Sequence, residues 1–187
     1  PLIEGFEEKM KSGGSFADIG CGHGLSTLMI ADAFPSGKVA GFDIHGPSIH
    51  QAKNLAKDAN LLDQLEYGVA DAKSYEGSYD YIAFFDCLHD MGDPVGAAKR
   101  IREVLSEDGT FMLVEPMAEN SLQDNLEKNP MSAAYYSFST LVCVPTSKSQ
   151  EVGLQLGAQA GQAKLTKVLN EAGFSQVRRT SENPSNM

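Results

Sequence analysis

The chain has little of what several classes of protein require. Among its 187 residues there is no tryptophan, and there are three cysteines, Cys21, Cys87 and Cys143. An odd number of widely spaced cysteines does not make the disulfide framework of a small secreted protein, so we expect reduced thiols and a cytoplasmic protein. No apolar run is long enough to cross a bilayer, and we therefore expect no membrane partner.

Positive charge is also scarce. Lys and Arg together number 15, against 25 Asp and Glu, which gives a formal net charge of -10. A surface that binds nucleic-acid phosphates has to be basic, so this composition argues against a nucleic-acid partner. The length and the hydrophobic content of 42% suit a folded α/β protein with a sizeable core, and we predict one domain over residues 1–187.

One stretch is rich in glycine. Residues 16–19 are mostly apolar and predict a buried strand, three glycines follow within residues 20–24, and Leu25 opens a helical pattern. A strand, a glycine turn and a helix form the nucleotide-binding half of an α/β unit. Glycine is needed there because the backbone turns sharply and a ligand lies against it. The stretch therefore predicts a site for a nucleotide-like cofactor.

The spacing of these glycines distinguishes two cofactors. A dinucleotide fingerprint, G-x-G-x-x-G, would place its third glycine at the position of Leu25. Asp18 precedes the turn and would repel a pyrophosphate, whereas S-adenosylmethionine (SAM) carries an ammonium and a sulfonium and no phosphate. Residues 18–24, D-I-G-C-G-H-G, resemble motif I of the class I SAM-dependent methyltransferases. A nicotinamide-dependent oxidoreductase stays open as the alternative.

Strands and helices alternate along most of the chain. Further strands are predicted at 38–42, 64–69, 78–85 and 110–115, with a turn at 106–109. This order predicts an α/β fold with a Rossmann-like, doubly wound and mostly parallel sheet. Residues 116–160 interrupt the alternation and are expected to be a substrate-side insertion, with an amphipathic helix at 131–142. We predict a strand at 174–179 and the beginning of another at 184–187.

The candidate cofactor residues lie at the carboxyl ends of predicted strands, where ligands bind in such sheets. Asp43 lies about 20 residues beyond the glycine turn, where a carboxylate accepts hydrogen bonds from ribose hydroxyls. The resemblance implies that an acid and a small residue at 71–72 contact adenine, and that the cofactor is SAM, with S-adenosylhomocysteine as product. The cofactor-binding set that we predict is Asp18, Gly20, Gly22, Gly24, Asp43, Ile44, Asp71, Ala72, Asp86 and Cys87.

The candidate acceptor side begins after the fourth strand. His89 is a possible general base, since a histidine there could take a proton from a hydroxyl or an amine, but the interpretation that we favour is a polar residue that packs over the cofactor. Glu115, Tyr135 and Tyr136 are the other expected substrate-side residues. No pair of cysteines, histidines or acids has a zinc-binding spacing, so we predict no metal site, although Asp86 with Asp90 could imitate a Mg²⁺ site.

We therefore expect a SAM-dependent methyltransferase that acts on a small molecule, with a non-catalytic, SAM-binding regulatory domain as a further alternative. Residues 21–24, 85–90 and 149–153 resemble bacterial methyltransferases that carry an N-terminal winged-helix region, which this sequence lacks. The resemblance implies a larger native protein and a homodimer formed through that region.

Overall fold

The computed structural model describes residues 2–187, which form two compact units. The first unit comprises residues 2–85 and 103–113, and the second comprises residues 86–102 and 114–187. No helix among these described residues is long and apolar enough to span a membrane.

The first unit contains a sheet of five strands in the order β3-β2-β1-β4-β5. The strands are β1 (Ser15–Ile19), β2 (Lys38–Asp43), β3 (Leu65–Val69), β4 (Tyr79–Phe85) and β5 (Leu105–Val114). β1 pairs in parallel with β2 and with β4, and β2 pairs in parallel with β3. This confirms the predicted doubly wound α/β sheet, in which the strand order reverses beside β1.

Helices cover the sheet or build the second unit. Those of the first unit are α1 (Phe6–Lys11), α2 (Leu25–Ala33) and α3 (Gly46–Asp58). The later ones are α4 (Pro94–Val104), α5 (Leu122–Lys128), α6 (Ser132–Phe138), α7 (Val144–Lys148) and α8 (Gly161–Glu171). Short 3₁₀ turns lie at Leu62–Gln64 and Leu88–Asp90, and a π-helical segment, Ser139–Cys143, joins α6 to α7.

The central strand of the first unit is buried, and its three apolar residues, Phe16, Ala17 and Ile19, lie in the core. Phe16 and Ile19 are each 1% exposed, and Phe6 of α1 meets the rings of Phe16 and Tyr81 edge-on. Burial of such side chains contributes about 1.5–3 kcal/mol each. These contacts anchor β1 in the core, and the glycine turn begins directly at its carboxyl end.

The carboxyl-terminal end of the chain only partly follows the prediction. Residues 174–179 do not form the predicted strand: Phe174 is half-buried and residues 175–185 are exposed, so no apolar face anchors a strand there. Asn186 does pair with Pro116 in an antiparallel bridge. Glu115 and Met187 exchange both backbone hydrogen bonds, at 3.0 and 2.9 Å, so the pairing predicted to begin at 184–187 is present but short.

Three further boundaries differ from the predictions. Residues 106–109, predicted as a turn, are extended within β5, because their polar character indicates exposure rather than conformation. The helical segment predicted to end at 142 continues through Cys143 and α7 to Lys148, and it leaves Phe138 and Leu141 58% and 76% exposed instead of packing them. Apolar residues at positions 2, 3, 6 and 10 predict a helix from residue 2, whereas α1 begins at Phe6 because Gly5 has a left-handed conformation.

Candidate active site

The glycine turn follows β1 directly. Gly20, Gly22 and Gly24 have φ values of 73°, 53° and 73°, which side-chain-bearing residues rarely adopt. The amides of Gly20 and Cys21 both donate to the carbonyl of Phe42 in β2, at 2.7 and 3.1 Å. The sequence pattern thus folds into a tight turn that is tied to the neighbouring strand.

Two of these glycines serve different purposes. A Cβ at Gly24 would lie 2.5 Å from the hydroxyl oxygen of Tyr67 and 2.8 Å from the Cβ of Ala52, so Gly24 allows close packing under the turn. Tyr67 also donates a hydrogen bond to the Gly24 carbonyl at 3.0 Å. At Gly22 a Cβ would meet nothing within 4 Å. Gly22 therefore leaves open space beside the backbone, as a ligand that lies on this turn requires.

Asp18 lies in β1 beneath the turn and is fully buried. Its Oδ2 accepts hydrogen bonds from the hydroxyls of Ser26, at 2.5 Å, and Thr27, at 2.8 Å. Its Oδ1 is buried and has no hydrogen-bond partner among the described residues. Burial raises the pKa of Asp18, and the two hydroxyl bonds only partly oppose this. Burial therefore makes the charged form of this carboxyl group unfavourable, and a cation nearby would stabilise that form.

Asp43 ends β2 and is half-buried. Its two carboxylate oxygens accept the backbone N–H groups of Gly22 and His45, each at 2.8 Å. These two bonds fix the orientation of the carboxylate and join it to the glycine turn. Ile44, the next residue, exposes 70% of its surface although its side chain is apolar. Asp43 therefore offers an oriented carboxylate that can accept hydrogen bonds, and Ile44 offers an exposed apolar side chain next to it.

Asp71 and Ala72 follow β3 and are both half-buried. The Asp71 carboxylate accepts the amide of Lys73 at 2.8 Å, so Asp71 caps a local turn. The amide of Ala70 donates to the carbonyl of Asp43 at 3.0 Å, which ties the two strand ends together. The role in adenine binding that the resemblance implies for Asp71 and Ala72 stays a prediction.

In the second unit, residues 86–90 form a loop that we call the His89 loop. Asp86 has a left-handed φ of 51°, and its carboxylate oxygens both lie within hydrogen-bond distance of the Asn186 side-chain amide, at 3.0 and 3.2 Å. Burial raises the pKa of Asp86, and the bond from Asn186 opposes that rise. Cys87 is half-buried, and its carbonyl accepts the amide of Asp90 at 3.2 Å.

His89 and Glu115 form a buried pair within this unit. The Nδ1 atom of His89 lies 2.5 Å from Oε2 of Glu115, and the other carboxylate oxygen accepts the amide of Leu88 at 2.9 Å. Glu115 is 1% exposed and His89 is 5% exposed. Glu115 thus orients the imidazole through Nδ1, which leaves Nε2 as the nitrogen for other chemistry.

The charges around His89 decide its protonation. Burial by itself lowers the pKa of His89, but the hydrogen bond that its Nδ1 donates to Glu115 and the charges of Glu115, Asp90 and Asp86 outweigh burial, and the net pKa is raised above the ordinary value. Burial raises the pKa of Glu115, while the bonds from His89 and from the Leu88 amide oppose the rise. The pair therefore binds a proton readily at its imidazole.

The two tyrosines predicted on the substrate side are half-buried and have different partners. The Tyr135 hydroxyl donates to the carbonyl of Ser185 at 2.9 Å, next to Asn186. The Tyr136 hydroxyl lies 3.5 Å from the amide nitrogen of Asn125. Within residues 2–187 neither hydroxyl makes a hydrogen bond to the His89 loop. The role of the two tyrosines in binding the acceptor stays a prediction.

Several residues that support the His89 loop were not predicted. Gln150 accepts the amide of Gly92 at 2.9 Å and donates to the carbonyl of Asp90 at 3.0 Å, and Ser147 donates to the carbonyl of Met91 at 2.8 Å. Asn186 binds Asp86, as described above. Gln150 lies in the stretch 149–153 that carries the family resemblance, but Ser147 and Asn186 belong to no motif or periodic pattern, so the sequence contains no signal for those two beyond their polar type.

Comparison with known proteins identifies the family. A family model described as a methyltransferase domain matches residues 10–173. The tRNA U34 carboxymethyltransferase of Campylobacter lari is 30% identical over 118 residues, which are 60% of this chain and 38% of that protein. The trans-aconitate 2-methyltransferase of Streptomyces coelicolor is 32% identical over 59 residues, which are 32% of this chain and 20% of that protein.

Solved structures share the fold at low identity. PigF with SAH has a TM-score of 0.70 at 18% identity, over 98% of this chain and 53% of PigF. The mitomycin 7-O-methyltransferase MmcR has a TM-score of 0.68 at 19% identity, over 99% of this chain and 52% of MmcR. The chain therefore spans about half the length of these structures and less than that of the two curated relatives.

Proposed function

The chain belongs to this methyltransferase domain family, and we propose that it binds SAM and transfers the methyl group to a small molecule. The observation that supports this most directly is the glycine turn, in which Asp43 is bonded to the Gly22 amide and open space lies beside Gly22. When bound, SAM supplies a methyl group that its positively charged sulfur has already activated.

The residues of the first unit fit such a cofactor. The oriented Asp43 carboxylate would accept the ribose hydroxyls, and the exposed side chain of Ile44 would cover an apolar face of the adenine. The buried carboxyl of Asp18, with Oδ1 unpaired among the described residues, contributes negative potential under a cationic ligand. Asp71, Ala72, Asp86 and Cys87 complete the set that we assign to cofactor binding.

His89 is assigned the role of general base. Its Nδ1 is bonded to Glu115, so Nε2 can accept a proton from the acceptor as the new bond to carbon forms. Burying a charge is costly unless it is paired and hydrogen-bonded, and the contact with Glu115 meets this condition while it holds the imidazole in one orientation. This assignment implies that the methylated atom carries a proton beforehand, as a hydroxyl or an amine does.

A small acceptor is favoured over a nucleic acid by charge. The relative from Campylobacter lari is named for tRNA, but it matches over only 38% of its own length. The present chain carries 25 acidic against 15 basic residues, which would repel a phosphate backbone. The solved structures that span nearly this whole chain include one named as an O-methyltransferase of mitomycin.

The proposal is tested first by binding. We expect calorimetric titration of the purified chain to show binding of SAM and of S-adenosylhomocysteine, and none of NAD. Binding of NAD alone would support a nicotinamide-dependent oxidoreductase instead. Binding of SAM without transfer of a labelled methyl group to any member of a phenol, alcohol and amine library would favour the regulatory alternative.

The base is tested by His89→Gln. We expect turnover to fall by about 10²–10⁴-fold with little change in SAM affinity, because the glutamine cannot accept the proton. His50→Gln is the matched control, since His50 is exposed on α3. Unchanged turnover in the His89→Gln variant would show that His89 only packs.

A further inference from the structure

Nε2, the second ring nitrogen of His89, lies close to the side chains of Asp90 and Cys143. The proposed methyl transfer gives no joint role to these three residues. Nε2 of His89 is 3.3 Å from Oδ1 of Asp90, and one ligand atom each from His89, Asp90 and Cys143 lies within 4.8 Å of the others. We propose that these three side chains bind a soft divalent cation, Zn²⁺. The site goes beyond methyl transfer and uses a cysteine that no other role requires.

The donor atoms select the metal. An imidazole nitrogen, a thiolate and a carboxylate form the mixed set that suits Zn²⁺, with a fourth position left for water. Mg²⁺ and Ca²⁺ prefer oxygen ligands and would not select the sulfur of Cys143. Ligands about 2.0–2.1 Å from a tetrahedral zinc are about 3.4 Å apart, close to the 3.3 Å between His89 and Asp90. The sulfur would need to approach the other two ligand atoms by at most about 1.2 Å.

The chain also orients the ligands in advance. Glu115 bonds Nδ1 of His89, and a carboxylate behind a ligating histidine fixes its tautomer and strengthens its binding to metal. Cys143 is the last residue of the π-helical segment Ser139–Cys143, an element that often marks functional sites. Two elements distant in sequence therefore present their ligand atoms to one point.

Asp90 has a carboxylate oxygen in this group that lies 3.3 Å from Nε2 of His89 but makes no hydrogen bond among the described residues. Its Oδ1 is buried, yet no described residue meets it with hydrogen-bond geometry. A buried carboxylate oxygen that accepts no hydrogen bond is unfavourable, and a bound cation would compensate for the missing bond. The Asp90 side chain as a whole is 38% exposed, so the site is reachable from solvent.

The local charge balance also favours a dication. Asp86, Asp90 and Glu115 all act electrostatically on His89. Cysteine ligates metal as the thiolate, so metal binding at Cys143 would release the proton of its thiol. Zn²⁺ would neutralise the excess negative charge of the group.

Metal binding has a consequence for catalysis, and this consequence rests on the proposed function. A zinc ion on Nε2 of His89 occupies the nitrogen that would accept the proton. We therefore expect Zn²⁺ to inhibit methyl transfer and a chelator to restore it. The ratio of activity with zinc to activity without zinc should fall for the unmodified protein and stay near one for Cys143→Ser.

Co²⁺ provides the direct test, because its bonds to thiolate give an intense near-ultraviolet charge-transfer band. We expect Co²⁺ added to the purified, reduced protein to produce this band at one equivalent, and Zn²⁺ to displace it. Cys143→Ser should abolish the band, whereas Cys21→Ser and Cys87→Ser should keep it. Glu115→Gln should weaken metal affinity by about 10–100-fold, an effect that a purely structural role would not produce. Circular dichroism checks that each variant is folded.

The outcomes separate the two proposals. A band that survives in Cys143→Ser or in His89→Gln, or no band in the unmodified protein, would overturn the metal site. If the band forms as expected but Zn²⁺ leaves turnover unchanged, the metal site stands and the base assignment is wrong. If no band forms but His89→Gln loses turnover, the base assignment stands and the metal site is wrong.

Discussion

The glycine turn of the first unit and the His89 loop of the second unit are built in different ways. The turn is formed by backbone: three left-handed glycines, bonded to the adjacent strand through Phe42 and Asp43. The His89 loop is formed by side chains that come from distant parts of the chain, namely Glu115, Gln150 and Asn186. A ligand site made of backbone is visible as residue spacing, whereas one made of side chains is not.

The two regions also treat a buried acid differently. Asp18 receives both of its hydroxyl bonds from the first turn of the helix that follows, and one of its oxygens stays unpaired among the described residues. Glu115 has both oxygens bonded, one to the Leu88 amide and one to His89. Asp18 therefore has a carboxyl oxygen available for a further partner, whereas Glu115 orients the side chain of His89.

The largest effect is expected where the turn is packed most tightly. Gly24→Ala should lower the free energy of unfolding by about 2–4 kcal/mol, because the new Cβ overlaps Tyr67 and Ala52 and the backbone is left-handed. Gly22→Ala, where nothing lies within 4 Å, should cost only about 1 kcal/mol from the backbone. Urea unfolding measures both. Equal losses would mean that packing under the turn plays no part.

Much of the first unit could be predicted from sequence, for a physical reason. The glycine spacing, Asp43 at the end of β2 and the parallel sheet depend on local backbone preferences and on apolar runs. The order β3-β2-β1-β4-β5 confirms that prediction. The second unit depends on contacts such as that of Asn186 with Asp86, which no periodicity encodes, and the predicted strand at 174–179 failed because too few of its residues could be buried.

The next effect concerns the ligand rather than the fold. Asp43→Ala should weaken SAM binding by about 1–3 kcal/mol, because the ribose hydroxyls lose a charged acceptor and the Gly22 amide loses its partner. Asp58→Ala removes the same charge from an exposed position at the end of α3 and serves as the control. Calorimetry that finds equal SAM affinity in the two variants would place the ribose elsewhere.

A third test uses the unpaired oxygen of Asp18. Burial raises the folded-state pKa of Asp18 above its unfolded value, so its contribution to stability is full below the unfolded pKa and is lost as pH rises through the folded pKa. Asp18→Asn removes this titration. We therefore expect the stability of the unmodified protein, relative to this variant, to decline as the pH rises above about 4, the ordinary pKa of an aspartate.

Urea unfolding at several pH values measures that difference. Asp63→Asn, at an exposed position, removes an equal charge and is expected to follow the unmodified protein. If the difference in stability between the unmodified protein and Asp18→Asn stays constant with pH, burial does not raise the pKa of Asp18. The buried acid Glu115 of the second unit differs from Asp18, because both of its carboxylate oxygens are hydrogen-bonded.

The smallest effect is expected at the edge of the second unit, where single side-chain bonds secure the chain end. Tyr135→Phe removes the hydroxyl that donates to the Ser185 carbonyl at 2.9 Å, and should cost about 0.5–1.5 kcal/mol in thermal or urea unfolding. The backbone bonds between Glu115 and Met187 hold the same segment, so the loss should lie at the lower end of this range.

Tyr136→Phe is the matched control and should change stability less, because its hydroxyl lies 3.5 Å from Asn125, whose amide already donates to two carbonyls at 2.9–3.0 Å. A larger loss for Tyr136→Phe would show that the order of these two contacts is reversed. A loss of several kcal/mol for Tyr135→Phe would show that the His89 loop depends on this chain end more than its separate hydrogen bonds suggest.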